Sequence, residues 1–194
     1  MKAMAFDPFH TFLFADLVGF TALTELEGDE AAADAAVRFT ATSEAIAADH
    51  GAHVVKSLGD AVMLRVPCAA QAVRLGLRLH AELDAAGGLP PIHAGAHTGA
   101  AVERGGDWFG AAVNLAARVT CAARAGELLV TEATAAAAGE LGDVELDSLG
   151  PQSFKNVAAR VPLYSARACA RQAEQAEHAV PRLRRSLIPA PAAA

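Results

Sequence analysis

Two aspartates in the first half of the chain stand where apolar, strand-like runs meet a glycine. Asp16 closes the run His10–Val18 within Phe14-Ala15-Asp16-Leu17-Val18-Gly19-Phe20-Thr21. Asp60 sits at the Gly59-Asp60 junction of two short β-prone runs, Ala52–Leu58 and Ala61–Val66. Such runs joined across Gly-Asp predict a tight hairpin. A carboxylate at a strand end, followed by glycine and then a helix, can hold a divalent cation while backbone N–H groups face a phosphate. Two of them make a two-metal site for phosphoryl or nucleotidyl transfer. A lone Asp before glycine is more often a turn or a cap, so the rest of the chain has to supply the substrate contacts.

The remaining pattern alternates helix and strand. Phe20–Leu26 reads as a short helix after the break at Gly19. Asp29–Asp49 is Ala-rich, with Val37, Thr40, Ala41, Glu44, Ala45 and Ala48 at helical spacing, and it stops at Gly51. Pro67 opens a helix to Ala86 with Leu75, Leu79 and Leu83 on its apolar stripe, ended by Gly87-Gly88. An extended stretch Ile92–Arg104 follows, then a turn at Gly105-Gly106 and a helix over Phe109–Ala123. A strand at Glu127–Val130, a helix at Thr131–Ala138 and strands at Val144–Leu149 and Val161–Ala166 come last. The order predicts an α+β sandwich with a mostly antiparallel sheet and helices on one face.

Composition narrows the class. At 194 residues with 53% hydrophobic content, the chain is long enough for one domain with a real core. A formal net charge of −6, with both signs mixed, argues against a nucleic-acid binder. No apolar run approaches the roughly 20 residues that span a bilayer. Met1–His10 carries Lys2 and Asp7 and no apolar core, so it does not read as a signal peptide. Cys68, Cys121 and Cys169 are odd in number and widely spaced, which suits reduced thiols and a cytoplasmic location. Of 16 basic residues only Lys2, Lys56 and Lys155 are lysine, so the two internal lysines suit fitted sites for a compact ammonium, with codon bias the competing explanation.

These segments together resemble the class III nucleotidyl cyclase catalytic domain, adenylate cyclase type. The resemblance is carried by Phe14–Thr21, by Lys56-Ser57-Leu58-Gly59-Asp60-Ala61-Val62-Met63, by His97-Thr98-Gly99, by Gly106–Arg118 and by Phe154-Lys155-Asn156, in that order. It implies a ferredoxin-like βααββαβ core with an extra C-terminal αββ. The catalytic domain would be residues 1–168, with an Ala-, Arg- and Pro-rich flexible tail over 169–194. It further implies that Asp16 and Asp60 bind two divalent cations, Mg²⁺ or Mn²⁺, and that backbone donors around Leu17, Val18, Gly19, Phe20 and Thr21 cradle phosphate. Lys56 and Asp107 match the positions that read the base. An ammonium donates to adenine N1 and a carboxylate accepts from its exocyclic amine, whereas guanine reverses both. Asn114 resembles the residue that orients the ribose. Arg118 resembles the one that stabilises charge on the α-phosphate, and Lys155 the one that holds the terminal phosphates.

The same resemblance implies a head-to-tail homodimer. One chain would supply the aspartates of each site and its partner the other groups, with ATP as substrate and neither nucleic acid nor membrane as partner. Control would come from a separate regulator or a small signal, unless the chain is a fragment. A catalytically idle nucleotide-binding or dimerisation module and a guanylate cyclase remain as alternatives. His93 and His97 fall on a strand, about 13 Å apart, too far to share a metal, and read as structural or surface histidines.

Overall fold

The first strand shows how the core is divided. β1 (Phe9–Leu17) is apolar on both sides. Leu13, Ala15 and Leu17 enter one buried cluster, and Phe12 and Phe14 enter another. A strand buried on both faces reads as a continuous apolar run, and the segment His10–Leu17 is close to one.

The computed structural model describes residues 9–169. After β1 come α1 (Phe20–Glu27), α2 (Asp29–Asp49), β2 (His53–Ser57), β3 (Ala61–Val66), α3 (Ala69–Ala86) and β4 (Ile92–Ala100). Then follow β5 (Val102–Arg104), β6 (Asp107–Phe109), α4 (Ala111–Ala122), β7 (Leu128–Thr131), α5 (Glu132–Ala138), β8 (Val144–Gln152) and β9 (Val161–Ala168). The main sheet has seven strands in the order β2-β3-β1-β4-β7-β9-β8, all antiparallel except the β4–β7 pair. This is the α+β, mostly antiparallel architecture expected. Among the described residues no helix is long and apolar enough to cross a membrane. The Ala-, Arg- and Pro-rich tail, apart from Cys169, lies outside the described residues.

Helices cover both faces, which corrects the one-sided arrangement expected. Phe39 and Ile46 of α2 and Leu75, Leu79 and Leu83 of α3 pack on the Leu13–Ala15 side. Ala112, Val113 and Ala116 of α4 pack with Phe12, Phe14 and Met63 on the other. Gly95 makes that second contact possible, because a Cβ there would strike the backbone of Thr120 in α4. A small residue under a helix lets the two backbones approach closely.

The stretch Ile92–Arg104 is also divided. β4 belongs to the main sheet, but β5 turns back through Gly105-Gly106 and pairs with β6 as a separate two-stranded arm. Asp107–Phe109 is thus a strand rather than the start of a helix. Trp108 anchors the arm, its ring 4.4 Å from His10 and 5.7 Å from Phe12 between centroids, with the Arg65 guanidinium 5.3 Å away.

Candidate active site

Asp16 lies near the end of β1, opposite Ala61 of β3 and His93 of β4. Asp60 lies in the β2–β3 turn, and its carbonyl accepts from the Leu17 N–H at 3.0 Å, which pins the turn to the end of β1. The two carboxyl groups are neighbours. Burial, and then the charge of Asp16, push the Asp60 carboxyl above the usual carboxylate range. Asp16 Oδ2 lies 3.1 Å from His93 Nε2, while Asp16 Oδ1 is buried with no hydrogen-bond partner.

A buried, unpartnered carboxylate oxygen beside a second carboxylate is costly unless a cation satisfies it. The donor set, two hard oxygen ligands on adjacent backbone segments, fits a divalent cation of the Mg²⁺ or Mn²⁺ kind. The described residues hold no cluster of three or more ligand-type side chains. The remaining ligands would therefore be water and substrate phosphate, as Mg²⁺ commonly takes.

Gly19 starts α1 from the left-handed region at φ 75°, with no side-chain cap. The first N–H groups of a helix have no intrahelical acceptor and suit phosphate oxygens. The expected cradle needs one correction. Leu17 N–H is bound to Asp60 and Val18 N–H donates to the Pro91 carbonyl at 2.8 Å, so both are spent on the fold. Gly19, Phe20 and Thr21 remain as backbone donors.

Lys56 and Asp107 meet across 51 residues of chain, with Nζ donating to Oδ2 at 2.7 Å. Lys56 and the Trp108 N–H, which donates to Oδ1 at 2.8 Å, hold the Asp107 carboxyl below its usual range. A bulge in β2 brings this about. Val54 pairs with Leu64, yet Lys56 pairs with Met63. Strict alternation would send Lys56 to the α2–α3 side with Val54. The extra residue keeps it with Met63 and Phe14 on the α4 side, beneath the arm that carries Asp107. By the alternation of β1, Asp16 faces that side too.

Asn114 is exposed and Arg118 half-buried, one turn apart on α4. Lys155 is exposed in the loop between β8 and β9. None of these three makes a side-chain hydrogen bond or ion pair with another described residue. β9 starts at Val161, at the sheet end away from Asp16, but the loop before it folds back, with Phe154 packed on the cluster of Val119, Ala123, Leu129 and Leu163. Two compact clusters form, Asp16–Asp60 and Lys56–Asp107, with Asn114, Arg118 and Lys155 free to face something else.

His93 was not expected here. Its ring contacts Asp16 through Nε2 and the Ala123 carbonyl through Nδ1, at 3.1 and 3.0 Å. The signal that could have found it is register. Pairing β1 with β4 places His93 directly opposite Asp16.

No family model matches the chain. Its sequence is 36% identical over 160 residues to the pH-sensitive adenylate cyclase of Mycobacterium tuberculosis, a match over 81% of this chain and 40% of that protein. The chain thus spans less than half the length of that relative. Its fold superposes on the adenylyl cyclase CyaB of P. aeruginosa with a TM-score of 0.72 at 25% identity, over 84% of this chain and 95% of that one. The guanylyl cyclase Cya2 shares the fold as well, with a TM-score of 0.68 at 19% identity over 81% of this chain and 91% of that one. Sequence relatives and fold agree, and the chain belongs to the class III nucleotidyl cyclase family by its catalytic domain.

Proposed function

We propose that the chain is an adenylate cyclase, converting ATP to 3′,5′-cyclic AMP and pyrophosphate in sites shared by two copies. The contact of Lys56 with Asp107 on the face that also bears Asp16 carries this reading. Their polarity matches adenine, with the ammonium donating to N1 and the carboxylate accepting from the exocyclic amine. Guanine would set donor against donor and acceptor against acceptor.

In the proposed reaction the ribose 3′-oxygen attacks the α-phosphorus. The bond from that phosphorus to the bridging oxygen breaks, pyrophosphate leaves with the electron pair, and the 3′-proton passes to water or to a substrate phosphate. Two divalent cations, Mg²⁺ or Mn²⁺, supply Lewis acidity and charge neutralisation when held by Asp16 and Asp60. Asn114 orients the ribose, and the Arg118 guanidinium meets the negative charge that grows on the α-phosphate. Lys155 and the N–H groups of Gly19, Phe20 and Thr21 hold the outer phosphates. Membership of the class III cyclase family supports a dimer, which we read as head-to-tail, each site taking its aspartates from one chain and its remaining groups from the other. The catalytic unit is then residues 1–168, in a cytoplasmic protein open to a separate regulator.

The test is product identity. Purified protein is incubated with ATP or GTP and Mg²⁺ or Mn²⁺, and the nucleotides are separated. Cyclic AMP from ATP, abolished in Asp60→Ala, is the expected result. Cyclic GMP as the main product would overturn the reading of the base pair. A folded dimer that forms neither would leave an idle nucleotide-binding module.

A further inference from the structure

We propose that His93 is a positioning residue for the Asp16 carboxylate, holding it between the sheet and the end of α4; its catalytic consequence rests on the cyclase reading above. The imidazole is mostly buried, with 19% of its side chain exposed, and it has two partners of different kinds. The Ala123 carbonyl, which belongs to the C-cap of α4, can only accept, so Nδ1 carries the proton of that bond at 3.0 Å. A helix end leaves its last carbonyls without intrahelical donors, and this ring satisfies one of them. With Nδ1 anchored there, Nε2 stands 3.1 Å from Asp16 Oδ2, a carboxylate oxygen that only accepts, so the ring makes both bonds with a proton on each nitrogen.

The consequence lies in the other oxygen of Asp16. Oδ2 is occupied by His93, and Oδ1 is the buried atom left without a partner. A carboxylate on a strand end can rotate about its terminal torsion. The bond to Nε2 removes that freedom and leaves Oδ1 as the oxygen presented to a cation. Outer-shell partners of this sort fix the orientation of metal ligands, and their loss typically costs about 10–100-fold in metal affinity or activity.

A purely structural histidine, one that only closes α4, is separable from a positioning one with two amide replacements. The amide nitrogen of Asn occupies the place of Nδ1, and that of Gln the place of Nε2. His93→Asn keeps the bond to Ala123 and loses the contact with Asp16, while His93→Gln does the reverse. The probe is Mn²⁺ alone, titrated into nucleotide-free protein and followed by electron paramagnetic resonance, with a thermal melt of each variant in chelator.

Positioning predicts that His93→Asn binds Mn²⁺ about tenfold or more weakly than wild type, with a melting temperature close to it. His93→Gln should keep most of the affinity even where its melting temperature falls. Equal Mn²⁺ affinity in wild type and His93→Asn would overturn the proposal. So would equal losses in both variants, or a wild type that binds no Mn²⁺. If the Asn variant loses affinity as expected but wild type forms no cyclic nucleotide, the cyclase reading fails and the role of His93 stands.

Discussion

Two acidic groups share one face of the sheet and are treated in opposite ways. Asp107 is matched: Lys56 and the Trp108 N–H bind its two oxygens, and its carboxyl is held below the usual range. The Asp16–Asp60 pair is mismatched, with one oxygen of Asp16 buried and unpartnered and Asp60 pushed up by burial and by its neighbour. A fold tolerates such a mismatch where something else completes it. On the proposed reading a cation completes the aspartate pair, whereas the Lys56–Asp107 pair is complete in itself and would exchange its mutual bond for base edges.

The largest expected effects come from the aspartate pair and from Arg118 on α4. Asp60→Ala and Arg118→Ala should each lower activity by at least about 100-fold, the first by removing a cation ligand and the second a stabiliser of transition-state charge. Mixing the two inactive proteins should restore activity, because one of the two sites in a mixed dimer is intact. Confirmed heterodimers without any recovery would reject shared sites.

A smaller change tests the matched pair alone. Lys56→Ala should reduce the preference for ATP over GTP by about tenfold, through loss of the donor to adenine N1. Its melting temperature should hardly move, since both side chains are about a third exposed, at 35% and 31%, and such pairs add little to stability. Unchanged base preference in competition assays would remove Lys56 from the base site.

The smallest effect is in the metal-free protein. A carboxyl whose folded pKa lies above its unfolded value favours the fold most at low pH, and that contribution is lost as pH rises through the raised value. Once pH exceeds that raised value, the ionised Asp60 is a burden on the fold. Asp60→Asn should raise the melting temperature in chelator, and Mn²⁺ should stabilise wild type but not the variant. A less stable Asn variant at pH 7 would show that the pair is not mismatched in solution.

Much of the frame was legible in the chain. α2 spans Asp29–Asp49 as its helical spacing indicated, and the Gly59-Asp60 turn joins β2 to β3 as a hairpin. These are local outcomes, set by periodicity and by the punctuation of glycine and proline. The misses all involve relations between distant segments. The arm of β5 and β6 depends on Trp108 reaching His10 and Phe12, which no window around residue 108 contains. The commitment of the Leu17 and Val18 N–H groups depends on Asp60 and Pro91 being carried alongside.

The sequence by itself determined the chemical inventory: two aspartates beside glycine-marked strand boundaries, a lysine and an aspartate whose polarity we propose reads adenine, and an asparagine and an arginine one turn apart. Those follow from residue type and local spacing. Only the tertiary structure decided which atoms remain unsatisfied and which side each group faces. A one-residue bulge turned Lys56 toward Asp107, and the β1–β4 register set His93 against Asp16. Strand pairing is a long-range choice among registers, made by the packing of both faces of the sheet together, and a one-residue shift would redirect every side chain on the strand.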